Sequence, residues 1–216
     1  MTATDTAQRE VEILPLGLEA ILGVPEDARG LVIFAHGSGS GRLSPRNSHV
    51  ASGLRKAGIA TMLLDLLTPR EEVDRRNVFD IGLLASRLLG ATRWASADPR
   101  TLDLPIGYFG ASTGAGAALL AAANADPTRI AAVVSRGGRP DLAGAEALSH
   151  VRAPTQLIVG SLDTTVIALN EQAMRHLRCP HEMVIVPGAG HLFEEPGTLD
   201  AVIDHARRWF ARHFAT

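Results

Sequence analysis

Gly110-Ala111-Ser112-Thr113-Gly114 is the stretch on which the reading of this chain turns. Apolar residues 104–109 run straight into it, and the Ala-rich residues 113–124 run straight out of it. A buried strand therefore hands over to a helix at Ser112. Glycines two places either side allow a sharp turn and a close approach of helix to strand, which leaves the serine thrust out at the apex. Taken alone, the pattern is common in a glycine-rich chain. Its position between strand and helix is what points to chemistry.

The same grammar runs outward from that point. Leu31-Val32-Ile33-Phe34-Ala35 is a continuous apolar run ending in His36-Gly37-Ser38-Gly39-Ser40-Gly41, a strand followed by a flexible loop. Residues 59–64, 130–134, 155–159 and 183–186 repeat it, while 10–14 and 18–22 read as two short strands with Gly17 at the turn. Runs that do not alternate suit parallel strands covered on both faces. Helical patterns lie between them. One is capped by Asn47 or Ser48 and stopped by Gly58; a long one covers 74–94; others cover 113–124, 165–177 and 199–214. This alternation predicts an α/β protein, a three-layer sandwich with right-handed crossovers. No linker or repeat divides it, so a single domain is expected over 10–216 after a flexible start at 1–9.

Composition narrows the function classes. The chain has 216 residues, 46% hydrophobic and 20% charged, enough to bury about 70% of its unfolded surface around one core. Lys and Arg total 21 against 23 Asp and Glu, a net charge of −2, which gives no positive field for nucleic acid. Lys56 is the sole lysine, so positive charge is carried almost wholly by guanidinium groups. Cys179 is alone, which excludes an intrachain disulfide and a Cys-based structural metal site. The start lacks the pattern of a signal peptide and no apolar stretch is long enough to span a bilayer, so a cytoplasmic protein with no membrane partner is expected. The loop after Ala35 has no Gly-Lys-Ser/Thr ending, and Gly37-Ser38-Gly39-Ser40-Gly41-Arg42 does not match G-x-G-x-x-G. Nucleotide binding is therefore not expected, and no cofactor or metal is.

A serine hydroxyl is a poor nucleophile until a base takes its proton, and that base needs an orienting carboxylate. Two later strand ends supply them: Gly160-Ser161-Leu162-Asp163 follows 155–159, and Pro187-Gly188-Ala189-Gly190-His191 follows 183–186. The chain has eight histidines, so the base is chosen by place. His36 precedes Ser112 and sits where a backbone cradle is wanted, which suits a tether for that loop. His49, His176, His205 and His213 fall on predicted helices, and His150 and His181 approach strands from the wrong end. Ser112, Asp163 and His191 are thus the expected nucleophile, carboxylate and base. Asp163 also fits an ordinary helix cap, and Glu194 or Glu195 are alternative carboxylates, though too near His191 to obey the order. An oxyanion would need donors. The Thr113 amide lies just after the serine at the positive end of a helix, and the Ser38 amide is the expected second donor.

Over nearly its whole length the chain resembles an α/β-hydrolase of the dienelactone hydrolase family. The supporting segments are Leu31 through Ser40, Gly110-Ala111-Ser112-Thr113-Gly114, Gly160-Ser161-Leu162-Asp163 and Gly190-His191-Leu192-Phe193. The resemblance implies a compact, lidless α/β-hydrolase fold with a mostly parallel sheet, no cofactor, and a catalytic triad falling on Ser112, Asp163 and His191. It also implies cleavage of small esters or lactones. The family's type member has Cys at the elbow where this chain has Ser112, so a small carboxylesterase is implied rather than chlorinated-catechol breakdown.

Arginines remain outside that scheme. Ser135-Arg136-Gly137-Gly138-Arg139-Pro140-Asp141 follows the strand at 130–134, and Arg42-Leu43-Ser44-Pro45-Arg46-Asn47 follows the proposed oxyanion loop. Ion pairing on the surface, Arg139 with Asp141 above all, is one reading. Recognition of an anionic group on the substrate by Arg42, Arg46, Arg136 or Arg139 is the other, since a planar guanidinium fork matches carboxylate and phosphate. The expected function is hydrolysis of a small ester or lactone through an acyl-enzyme, by a monomer or homodimer. A thioesterase, amidase or acyltransferase on the same residues, or a small-ligand-binding module that keeps the fold without catalysis, are the alternatives.

Overall fold

The computed structural model describes residues 8–214. Its centre is an eight-stranded sheet in the order β1-β2-β4-β3-β5-β6-β7-β8, made of β1 (Gln8–Ile13), β2 (Leu18–Gly23), β3 (Leu31–Ala35), β4 (Ala60–Leu64), β5 (Ile106–Ala111), β6 (Ile130–Arg136), β7 (Thr155–Gly160) and β8 (His181–Val186). β1 and β2 pair antiparallel, β2 joins β4 antiparallel, and every pairing from β4 to β8 is parallel. The parallel order turns back at β3 and β4, which leaves β3 and β5 adjacent in the middle. Open parallel sheets place their binding crevices beyond the carboxyl ends of such central strands.

The unbroken apolar runs are explained by two-sided burial. In β3, Leu31, Ile33 and Ala35 join a core with Leu84 and Leu88 of α4 (Ile81–Ala95) and Ala117 and Leu119 of α5 (Thr113–Asn124). Val32 and Phe34 join the opposite core, with Val50 and Leu54 of α1 (Pro45–Lys56) and Val202 and Phe210 of α8 (Thr198–His213). Each large side chain removed from water in this way contributes roughly 1.5–3 kcal/mol. A strand with one wet face would have alternated; these cannot. Phe34 and Phe109 meet across β3 and β5 with ring centroids 4.9 Å apart, a packing that ties together the two strands leading into the loop after Ala35 and the serine turn. The outer layer on the α5 side also takes in α6 (Ala145–His150), through Leu148, and α7 (Thr164–Met174), through Ala173.

The structure departs from expectation at several boundaries. β1 begins at Gln8, inside the stretch expected to be flexible, and residues 1–7 of that stretch lie outside the described residues. α1 starts at Pro45 because the Ser44 hydroxyl, not Asn47 or Ser48, accepts the first free N–H, from Asn47. The long helix expected over 74–94 is broken. Thr68 and Glu71 form a reciprocal capping box that starts α2 (Pro69–Glu72), Asp74 caps α3 (Arg75–Val78), and Asp80 caps α4 by accepting from Leu83 N–H. Side-chain carboxylates that satisfy fresh N–H groups stop one helix and begin another. His150 ends α6 and His181 opens β8. Among the described residues no helix is long and apolar enough to cross a membrane.

Candidate active site

Ser112 sits between β5 and α5 with φ 49° and ψ −123°. Left-handed φ is rare for a residue with a side chain and costs of order 1–3 kcal/mol; among the described residues only Ser112 and Phe193 adopt it without being glycine. The flanking glycines make the turn possible. A Cβ on Gly110 would fall 2.4 Å from Ala115 Cα, and one on Gly114 would fall 2.1 Å from the Ala35 carbonyl oxygen. Both obstacles are backbone and cannot step aside. The turn is also pinned from β6, since Ser112 N–H donates to Arg136 O and Arg139 N–H donates to Ser112 O, at 3.4 and 3.0 Å.

Asp163 and His191 come together at the ends of β7 and β8. Asp163 Oδ2 and His191 Nδ1 are 2.6 Å apart, with the carboxylate side chain 13% exposed and the imidazole 39% exposed. An ionised carboxylate accepts only, so Nδ1 carries the proton and Nε2 is left as the basic nitrogen. Asp163 makes no side-chain cap bond to α7, which leaves its carboxylate to the histidine. Glu194 is ion-paired to Arg46 at 3.0 Å, and Glu195 Oε1 accepts the Gly190 N–H at 3.1 Å. That bond, after those of its own backbone, holds the Glu195 carboxyl below its usual range. Neither glutamate meets His191 Nδ1.

Gly137 lies between the serine and the histidine, a role that reading the sequence missed. Its φ is 50°, and a Cβ there would stand 2.9 Å from His191 O and 3.7 Å from His191 Nδ1. The peptide before it receives Ser112 N–H. One backbone step of β6 thus touches both strand-end loops. The Gly137-Gly138 pair in sequence was a usable signal of such close backbone approach.

The loop after β3 packs over Ser112, where a Cβ on Gly37 would fall 3.0 Å from Ser112 Cβ. His36 is buried and holds this loop. Its Nε2 accepts Leu66 N–H at 3.1 Å, so the proton sits on Nδ1, which donates to Gly37 O at 2.9 Å. The tether expected of His36 is therefore present. The Ser38 amide differs from expectation: it donates to Thr113 Oγ1 at 3.0 Å rather than standing free. An open groove of about 750 Å³ begins at His36 and Ser38 and runs beside Arg42, Asp65, Leu67 and Leu84, but Ser112 and His191 do not line it.

The arginines separate into two kinds. Arg42 is spent on Asp65 at 2.5 Å and Glu19 at 2.8 Å, Arg139 forks onto Asp141 at 2.8 and 2.7 Å, and Arg46 holds Glu194. Each of these has a carboxylate of the chain itself, the ion-pairing alternative, with Arg139 on Asp141 as expected. Arg136 has none. It is 7% exposed, its Nε and Nη1 have no hydrogen-bond partner, and its Nη2 reaches only the Asn47 amide oxygen at 3.4 Å. The guanidinium lies over the Phe193 ring, 5.9 Å from its centroid. Burial, reinforced by the charge of Arg46, pushes it down to about 10, so it remains protonated at neutral pH.

No family model matches the chain. It is 54% identical to a dienelactone hydrolase from Anabaena variabilis whose crystal structure covers 97% of this chain and 98% of that one, with a TM-score of 0.91. Est1E from Butyrivibrio proteoclasticus shares the fold at 14% identity, covering 98% and 100% of the two chains with a TM-score of 0.81. A Mycobacterium tuberculosis protein provisionally named a phosphoribosyl transferase is 56% identical over 207 residues, which are 94% of this chain and 46% of that protein. The chain thus spans about half the length of the curated relatives it matches. With the sheet order, the strained serine turn and more than half of its residues in common across almost the whole of both chains, it belongs to the dienelactone hydrolase family of α/β-hydrolases.

Proposed function

We propose that this chain hydrolyses small carboxylic esters or lactones through an acyl-enzyme. Two observations carry the reading: the Asp163–His191 contact of 2.6 Å, and a serine held in left-handed backbone at the end of β5. Ser112 Oγ would attack the carbonyl carbon while His191 Nε2 takes its proton. The Thr113 amide, at the positive end of α5, would face the oxyanion. The imidazolium, steadied by Asp163, would then protonate the leaving alkoxide, and the same nitrogen would activate water to release the acid. The mycobacterial relatives' name speaks for proteins about twice this length.

A finer reading concerns the substrate's charge. Arg136 is the arginine near the serine turn without a carboxylate, and it favours an ester that carries an anionic group. One domain over 10–216 remains our proposal for the extent of the unit. The test of the function is turnover across a p-nitrophenyl acyl series by wild type and Ser112→Ala, with a serine-directed phosphonate as a label. We expect at least about 10³-fold loss in the variant at unchanged melting temperature, and one label on wild type but none on Ser112→Ala. Undiminished turnover in Ser112→Ala would remove the serine from its role. Thioesters and amides run in the same series separate an esterase from a thioesterase or amidase, and the absence of turnover on all of them would favour a binding module.

A further inference from the structure

We propose that the Thr113 hydroxyl is itself an oxyanion donor, and that the Ser38 amide acts behind it by holding that hydroxyl in place. The proposal rests on the acyl-transfer reading of Ser112. Ser38 N–H donates to Thr113 Oγ1 at 3.0 Å, linking residues 75 apart in sequence. The loop that makes this bond lies directly on the nucleophile, as the 3.0 Å approach of a Gly37 Cβ to Ser112 Cβ shows. Thr113 is 7% exposed, so water has little access to compete for the bond.

A hydroxyl has one proton and two lone pairs. Taking the Ser38 N–H uses a lone pair and leaves the proton to be given away. Inside a helix a threonine gives it to the carbonyl one turn back, as Thr92 does to Leu88 O at 2.9 Å. Thr113 is the first residue of α5 and has no helical turn behind it. None of the described residues accepts its proton. The one new acceptor that the reaction creates beside it is the substrate carbonyl oxygen. When Ser112 Oγ bonds to the carbonyl carbon and its proton passes to His191 Nε2, the C=O π pair moves onto that oxygen. Thr113 N–H and O–H, from one residue at the positive end of α5, then both point to the charge. A hydroxyl already polarised by an N–H on its lone pair is the better donor. The bond strengthens only as charge develops, so it acts on kcat more than on KM.

Two arrangements make opposite predictions for Thr113→Val, which keeps the branched shape and removes the hydroxyl. Under the proposal, kcat for a p-nitrophenyl ester falls about 10²- to 10³-fold with KM little changed, and Thr113→Ser recovers the rate to within about tenfold. If Ser38 N–H is instead the direct donor, Thr113→Val frees it and the rate holds or rises. That result would overturn the proposal. Should Thr113→Val fold poorly by circular dichroism, Thr113→Ala removes the same hydroxyl without added bulk and carries the comparison. Phosphonate labelling separates the two levels of failure. A label on Ser112 in wild type and variant with an unchanged kcat refutes the hydroxyl donor alone, whereas no label on wild-type Ser112 refutes the acyl-transfer reading and the proposal with it.

Discussion

Asp163 and His191 leave adjacent parallel strands, and their side chains meet at 2.6 Å. The register explains the meeting. Gly160 at the end of β7 is opposite Val186 at the end of β8, and both strand ends point the same way. The loops are then held against one another: Leu162 N–H donates to Ala189 O at 2.9 Å, and Gly188 N–H donates to Ser161 Oγ at 2.8 Å. A Cβ on Gly160 would fall 2.3 Å from Ala189 O, so the crossing of the two loops requires glycine there. The carboxylate is thus placed by backbone contacts on both sides before it ever meets the ring.

From that contact follows the effect of Asp163→Asn. The variant should fold, since Asp163 makes no cap bond to α7. Its ester turnover should fall by about 10³- to 10⁴-fold, because the amide no longer fixes the imidazole tautomer or steadies the imidazolium. Glu194→Gln and Glu195→Gln should stay within about tenfold of wild type. If kcat/KM measured on one activated ester drops more for a glutamate variant than for Asp163→Asn, the carboxylate has been assigned to the wrong loop.

Gly114 tests the serine turn without touching a reacting group. An alanine there sets its Cβ 2.1 Å from Ala35 O and 2.5 Å from His36 O, and backbone must move to admit it. Overpacking of this kind costs about 1–3 kcal/mol. A displacement of about 1 Å between the loop after β3 and α5 should cost at least about 10²-fold in kcat. Thermal melting and steady-state turnover of Gly114→Ala measure both. Wild-type activity in that variant would mean that the close packing of α5 on β3 is dispensable.

The strand ends that carry the site were legible because burial on both faces leaves an unmistakable mark. Residues 31–35 and 113–124 were bounded correctly for this reason, the second helped by a run of alanines between Thr113 and Asn124. The break in the helix expected over 74–94 is written in the chain as Asp80, which caps α4 after Asp74 has capped α3, but apolar residues on both sides of it share a helical spacing that masks the cap. α6 had no such mark: Gly144, with φ 82°, begins it without a side-chain cap. What could not be read was pairing at long range. Arg42 meets Glu19 and Asp65, and Ser38 meets Thr113, through contacts that only the assembled sheet creates. For the same reason the isolation of Arg136 among the arginines had no signature in sequence.

Stability should respond unequally to two substitutions in one buried pair. Tyr108 OH and Thr92 Oγ1 are 2.6 Å apart. Because Thr92 gives its own proton to Leu88 O, Tyr108 is the donor between them, and burial raises its pKa far above the usual phenol value. Tyr108→Phe removes the donor and should cost about 0.5–1.5 kcal/mol. Thr92→Val strands a buried phenol and should cost about 1–3 kcal/mol, which for a chain of this size is a fall of roughly 2–4 °C in Tm per kcal/mol. Calorimetry of the two variants gives the order directly. A larger loss for Tyr108→Phe would reverse the assigned donor.

Arg136 sets stability against selectivity. A guanidinium in low dielectric is costly unless an acid accompanies it, and here the companions are an amide oxygen at 3.4 Å and an aromatic face. Arg136→Met keeps much of the apolar stem and removes the charge, so Tm should hold or rise. Activity on a neutral ester should change little. If the guanidinium meets an anionic group of the substrate, wild type should prefer an acyl chain ending in carboxylate over a neutral chain of the same size. The variant should then lose that preference by about 1.5–3 kcal/mol, roughly ten- to a hundredfold in kcat/KM. Arg139→Met is the control: its fork already holds Asp141, so its charge preference should match wild type, while the broken ion pair, partly exposed, should lower Tm only slightly. A lower Tm in Arg136→Met with the charge preference intact would make the residue a brace for the Phe193 loop, and would end the case for an anionic substrate.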